Sequence, residues 1–475
     1  MTTAAPHSSL LASEPVQLKK VMGLSDVVMF YIAAVVGPRW IAVAAAAGPS
    51  SLVVWVGAAL LFFIPLAFAV LELSSRFPEE GGLYIWSKRA FGDFSGFMTG
   101  WMYWASNLVY FPGLLYFAAG NALFIGGSSW QALSSSAPYF IVASLVGLAI
   151  AAVLNIIGLD VGKWLHNLGA YGTWIPIGLL IVMGLIAYAH FGSATSFTAE
   201  TITPSTHLTD IIFWSTIAFG FGGLESASLM GEEIHDARRI IPRAVLIAGI
   251  SVAAIYILGT MAILLALPKS EVSGLQGIMQ AIAKTGDRVG FGAARPLAAV
   301  MITIGSLGGV GAWLAASGRL PFVAGIDKVL PPAFAKLHPK WRTPYVALIV
   351  QSMIAGVFAI LGQAGTSVKG AYDVLVSLGV ISFFIPYLFL FAALFKVQSI
   401  PVPPDAIRVP GGGPVARLMA VTGFAVTALS IGLSVIPSDD EPQKTLAVVK
   451  IVGLTLVLVV VGLVLYGSGR RRRVG

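Results

Sequence analysis

Apolar runs of about 20 residues recur from one end of this chain to the other, separated by short polar loops. That is the length a helix needs to cross a hydrocarbon core. In lipid only helices and closed barrels satisfy every backbone N–H and C=O. The alternating ten-residue strands of a membrane barrel are absent, so the pattern predicts an all-α, multi-pass membrane protein. Composition agrees: 57% of the 475 residues are hydrophobic and 11% are charged, against about 25% charged in soluble domains. Too few charges remain to cover a soluble surface. A soluble enzyme, a disordered chain and a coiled coil are thereby excluded.

Twelve spans are expected, near 27–47, 52–75, 94–124, 138–157, 167–189, 210–231, 243–267, 292–318, 344–363, 371–395, 416–436 and 446–467. With the N-terminus placed inside, 21 of the 29 lysines and arginines fall on inner segments and 7 on outer ones, with Arg39 inside a span. This positive-inside bias predicts a cell-membrane protein with both termini cytoplasmic. It also accounts for the net charge of +8 without nucleic acid as a partner. Residues 1–20 lack the order of a signal peptide, and the chain has no cysteine. No metal or nucleophile motif and no phosphate-binding Walker pattern occurs, so no cofactor, metal site or enzymatic activity is expected. The Arg470–Arg473 run reads as a topology anchor, with binding to anionic lipid as the alternative.

Two spans are interrupted in matching places. Span 1 carries Gly37, Pro38 and Arg39 near mid-depth; span 6 carries Gly220, Gly222 and Gly223, followed by Glu225. Spans 1 and 6 cross in opposite directions. Paired breaks in oppositely oriented halves predict an inverted repeat with a substrate site between the breaks. The alternative is that the glycines serve close helix packing. A half-helix that starts after a break offers N–H groups and a positive dipole end to a carboxylate. Carbonyls at the other end suit an ammonium, so a zwitterionic amino acid fits both.

Arg39 and Glu225 are the deepest ionisable residues, and such groups are functional candidates in a membrane. Glu225 reads either as a proton-coupling, amine-binding carboxylate or as a structural partner of Arg39. Arg39 brings a fixed positive charge that either serves a substrate carboxylate or fills the place of a coupling sodium ion, and sodium-independent transport with a preference for substrates bearing a carboxylate is expected. Asn107 faces either the site or a neighbouring helix. Glu72 and Arg76 are spaced for an i,i+4 salt bridge. Trp101, Tyr103 and Trp104 read as interfacial belt residues. All six histidines fall in loops or at span ends.

The chain resembles the amino acid–polyamine–organocation (APC) permeases over about residues 20–400. The likeness rests on Arg76–Trp86 (RFPEEGGLYIW), Phe219–Ser228 (FGFGGLESAS), Glu232–Ala244 (EEIHDARRIIPRA), and Gly305–Gly309 (GSLGG) with Arg319 and DKVLP. Spans 3, 6 and 8 are similar to those of the family's arginine:agmatine antiporters. The resemblance implies the LeuT-type fold: five plus five helices in an inverted repeat, with two peripheral helices. It divides the chain into a tail (1–25), a first repeat (26–190), a second repeat (209–396), spans 11–12 (416–467) and a basic tail (468–475). It implies site roles for Asn107, Phe219 (an aromatic gate) and Glu225, which together with the break residues Gly37, Pro38, Arg39, Gly220, Gly222 and Gly223 make the expected substrate-binding set. Two positions depart from the family pattern: Gly37-Pro38-Arg39 stands where Gly-Ser-Gly is usual, and Val310 replaces an aromatic. The expected function is secondary active transport of amino acids, proton-coupled or exchange-driven and sodium-independent. A polyamine or organic-cation carrier is the alternative within transport. A receptor or complex subunit is the alternative outside it, and a homodimer is left open.

Overall fold

The structure, a computed structural model, describes residues 18–204, 208–272, 276–362, 368–436 and 444–474. Residues 1–17 of the expected tail and the side chains of Arg471–Arg473 lie outside the described residues. No strand occurs among the described residues, where the isolated parallel bridge between Met22 and Ile234 is the sole β pairing.

The helices used below are α1 (Leu24–Val35), α2 (Pro38–Ala47), α3 (Ser50–Arg76), α4 (Leu83–Phe91), α5 (Asp93–Ala122), α6 (Ala137–Ile157), α7 (Leu159–Phe191), α8 (Leu208–Gly220), α9 (Ala237–Ala266), α10 (Gly277–Arg288), α11 (Ala294–Ile326), α12 (Tyr345–Gly362), α13 (Val368–Val397), α14 (Gly412–Ser434) and α15 (Lys444–Val474). Among the described residues seven helices are long and apolar enough to cross a membrane, or eight when the bent pair α1–α2 is one span. The molecule is therefore an all-helical, multi-pass membrane protein. Of the other expected spans, α8 has 13 residues, and α5 has 30 but carries Thr99, Ser106 and Asn107.

Both interruptions have local causes. Proline has no N–H and clashes with the preceding turn, but it fits the first position of a helix. Pro38 accordingly ends α1 and opens α2, and the two halves meet at 44°. The second break follows Gly220. Gly223 sits at φ +121°, a conformation open to glycine at little cost, and a 3-10 segment (Ser226–Glu233) continues from there.

Around these breaks α11 packs along α7 and α5, and α13 packs along α5. The α7–α11 contact is backbone on backbone: a Cβ on Gly169 would lie 2.6 Å from Gly308 Cα, and one on Gly305 would lie 2.9 Å from the Gly172 carbonyl carbon. Small residues permit this approach where lipid offers no hydrophobic drive between helices. The GSLGG stretch thus acts as a packing face.

Two short helices were not expected from the sequence. α4 is entered through Gly81 and Gly82, both at positive φ. α10 buries Ile278, Met279 and Ile282 on one face while Arg288 donates to Ala266 O at 2.8 Å. The expected Glu72–Arg76 pair forms at 2.5 Å between buried side chains. It extends into a network, with Arg76 donating to Val397 O at 2.8 Å and Glu72 accepting from Val409 N at 2.9 Å.

Candidate functional site

The two breaks meet around a small cavity of about 20 Å³. Its walls come from five elements: the first break (Ala34, Val35, Trp40), α5 (Asn107, Tyr110), the second break (Phe219, Gly220, Gly222), α11 (Trp313) and α13 (Phe383). Of the nine candidate site residues, Asn107, Phe219, Gly220 and Gly222 line it directly. Gly37, Pro38, Arg39, Gly223 and Glu225 stand behind that lining. The wall is aromatic: Phe219 meets Trp40 and Phe383 edge-on, each at 5.3 Å between ring centroids. Gly222 leaves room for this wall, since a Cβ there would lie 2.7 Å from Phe383. Asn107 Nδ2 donates to Tyr103 O at 2.8 Å.

A broken helix in lipid must find partners for its freed backbone groups. Here side chains supply several of them. The Tyr256 hydroxyl, from α9, accepts from Gly37 N–H at 3.0 Å. Its own proton lies between Val35 O at 2.7 Å and Gly220 O at 2.8 Å. One hydroxyl therefore ties both breaks together. Its ring stacks on Trp55, with centroids 4.4 Å apart, which fixes its direction. Trp313 Nε1 donates to Ala34 O at 2.7 Å, and Gly223 N–H donates to the Tyr387 hydroxyl at 2.8 Å.

Glu225 is wholly buried. One carboxylate oxygen accepts from the Tyr103 hydroxyl, the other from the Tyr387 hydroxyl at 2.6 Å. Both tyrosines pack on the Phe383 ring of the cavity wall, at 5.3 and 5.0 Å, so Glu225 is one layer from the cavity. Arg39 is 2% exposed. Its guanidinium lies 4.2 Å from the Trp40 ring centroid and 4.9 Å from that of Tyr110. Its Nε has no hydrogen-bond partner, and among the described residues no carboxylate pairs with it. A structural Arg39–Glu225 pair, one of the two readings open from sequence, is therefore absent from this structure.

Other expectations need correcting. Tyr103 holds Glu225, Trp104 Nε1 donates to Gln351 Oε1 at 3.0 Å, and Trp101 Nε1 donates to Leu458 O at 2.8 Å. Tyr103 and Trp104 are buried, so these two rings are interior residues and not part of an interfacial belt; Trp101 is half-buried against α15. His166 does not lie at a helix end. α7 begins at Leu159, which places the histidine inside the bundle at 1% exposure, 5.4 Å from the Phe30 ring. Tyr110, Tyr256, Trp313, Phe383 and Tyr387 were not singled out from the sequence. Aromatic residues in apolar spans give no signal that separates a site wall from ordinary core. Val310 is fully buried, and Trp313, one turn further along α11, supplies an aromatic wall.

Two broken helices facing each other across an aromatic-walled, membrane-embedded cavity define a helical membrane transporter. Sequence comparison supplies the family: residues 21–460 match the amino acid permease family, and the chain belongs to it. The chain is 27% identical to an uncharacterised transporter of Legionella pneumophila, across 90% of this chain and 92% of that protein. It is 22% identical to a probable agmatine/putrescine antiporter of Lactococcus lactis, across 92% of each chain. It is 27% identical to the serine/threonine exchanger of Bacillus subtilis, across 80% of this chain and 83% of that one.

Proposed function

We propose that this permease moves amino acids or related amines across the cytoplasmic membrane by alternating access, with the substrate held between the two broken helices. The observation that carries the reading is the cavity at which both breaks meet, lined by Trp40, Asn107, Phe219, Gly220 and Gly222. At about 20 Å³ it has room for about one water. Substrate entry therefore requires the aromatic wall to part, and Phe219 is the residue placed to move. Twelve spans with both termini cytoplasmic, arranged as repeats 26–190 and 209–396 with peripheral spans 416–467, form the scaffold of this reading. The two breaks line one cavity and one tyrosine hydroxyl spans them, which supports this reading.

Exchange or proton coupling drives the movement in this reading, with Glu225 as the group that changes protonation. Its two tyrosine donors can release it when the second break rearranges. Sodium is not needed, because Arg39 already supplies a cation at the first break. The reading is tested by purifying the protein, reconstituting it in vesicles and measuring uptake of labelled amino acids and amines with and without sodium and pH gradients. Absence of uptake for every amino acid and amine, or a strict need for sodium, would overturn it. A polyamine or organic-cation carrier is the second reading. The aromatic wall favours it, since ring faces attract cations, as does the likeness to the Lactococcus antiporter.

A further inference from the structure

We infer that Arg39 is the specificity-determining residue of this site, and that it selects substrates bearing a carboxylate over their decarboxylated amines. The inference rests on the transport reading above and settles which of its two substrate classes the site takes. Three observations lead to it. First, the guanidinium is buried and unneutralised: it is 2% exposed, its Nε is orphaned, and no carboxylate pairs with it among the described residues. A buried charge without a counter-charge is costly, and guanidinium cannot shed its proton to escape. Second, it stands at the second position of α2, a helix of 10 residues. There the positive end of the helix dipole adds to its own charge. Third, the rings of Trp40 and Tyr110 that hold it, at 4.2 and 4.9 Å, are themselves walls of the cavity. Each of these rings already has the protein's own cation against it, so a substrate's cationic head stacking there would lie beside a like charge.

The one nearby carboxylate does not offset this. Arg39 and Glu225 both stand behind the lining, but both Glu225 oxygens already accept from tyrosine hydroxyls, whereas the Arg39 Nε is without a partner. The arrangement offers an anion one fork of donors and offers a second ammonium nothing comparable. A carboxylate arriving at Arg39 gains a charge-assisted, two-pronged contact. An amine that lacks the carboxylate leaves the guanidinium without a counter-charge and adds a like charge beside it. Diamines should therefore be poor substrates here, although a relative is named for agmatine and putrescine.

The test uses substrate pairs that differ only by the carboxylate, namely serine against ethanolamine and arginine against agmatine. Binding to the purified full-length protein is measured in chloride-free gluconate buffer and again in chloride. Truncating one partner of a buried charge pair typically costs about 30-fold or more in affinity. Wild type should thus favour at least one amino acid over its own amine by that factor. Arg39→Gln should shrink the preference below about tenfold, while Arg39→Lys keeps much of it. Thermal unfolding separates this from a structural role. Removing an unpaired buried charge should leave ligand-free Arg39→Gln as stable as wild type or more so, whereas loss of a structural contact would lower its melting temperature. Equal affinity for amino acid and amine in wild type, in a protein that still transports both, overturns the inference and leaves the transport reading intact. So does stabilisation by chloride alone with no preference between the members of a pair.

Discussion

At the scale of single residues, two tyrosines carry more of the site than any charged group does. Tyr256 closes three backbone valences at once, on Gly37, Val35 and Gly220. Tyr256→Phe keeps the ring on Trp55 but orphans those groups. Each unsatisfied buried polar group costs on the order of 1–3 kcal/mol. The variant should therefore melt several degrees lower and transport more slowly, while Tyr188→Phe, on an exposed stretch of α7, should change neither. Equal melting temperatures for Tyr256→Phe and wild type would show that the hydroxyl is not the tie. Glu225 gives a second test. Since it has no contact with Arg39, Glu225→Gln should preserve folding and substrate-for-substrate exchange but abolish the pH dependence of transport in vesicles. Retention of the normal pH profile would remove it as the proton-linked group. Sequence singled out Glu225 and Arg39 because ionisable residues are rare inside spans. It missed Tyr256 and Tyr387, since a tyrosine that caps a broken helix is spelled no differently from one that fills a core.

Among the helices, the breaks were legible and the surrounding elements less so. Pro38 and the Gly220–Gly223 cluster interrupt otherwise apolar periods, and both break the helix where expected. The account of glycines as mere packing residues holds elsewhere, at Gly169 and Gly308, and fails at Gly223. There a positive φ combines with contacts on both sides, because a Cβ would lie 3.0 Å from Trp313 and 3.0 Å from Val35. Gly223→Ala should cost about 1–3 kcal/mol from backbone strain alone. It should also disturb the Gly223 N–H bond to Tyr387, and with it the seat of Glu225. Substrate affinity measured on protein that still elutes as a single species should fall at least tenfold. Unchanged affinity would mean that the second break tolerates repositioning and is not part of the site. Helices α4 and α10 escaped notice because each is short and half polar, which reads as loop between two spans. The depth of His166 was misjudged for a related reason: α7 starts right after Gly158, eight residues ahead of the apolar run that marks its span.

At the scale of the whole molecule, the proposed alternating access would require one end of the bundle to open while the other stays shut, and the end that carries Val21 and Met22 is held by a buried ionic cluster. Val21 and Met22 donate to Glu233 O at 2.9 and 3.1 Å. Arg319 of α11, fully buried, grips the Glu233 carboxylate through two nitrogens at 2.7 and 2.8 Å. Glu80, on the turn before α4, lies 3.8 Å from Arg319 and accepts from Glu232 N at 3.0 Å. Burial, reinforced by the Glu233 charge, pushes the Glu80 carboxyl well above the usual carboxylate range; Arg319 opposes this only in part. A group whose proton affinity is raised in the closed form stabilises closure fully below its ordinary titration range. That contribution is lost as pH rises through the ordinary range toward the raised one. Acid should therefore hold this end shut and neutral pH should loosen it. Glu232 is also raised by burial and by Glu233 and acts in the same sense. The absence of cysteine allows a direct measurement. Ser228 is buried beneath the Gly82 turn, where a Cβ on Gly82 would lie 3.0 Å from the Ser228 carbonyl carbon. A Ser228→Cys protein has a single thiol, whose maleimide labelling can be scaled to that of the unfolded chain at each pH. Labelling should increase from pH 5 to pH 8 in the otherwise wild-type protein. With Glu80→Gln added, which mimics the protonated carboxyl, it should stay low across the range. Equal labelling of the two proteins at pH 8 would show that Glu80 does not set the closure of this end, leaving the Arg319–Glu233 grip as a static brace.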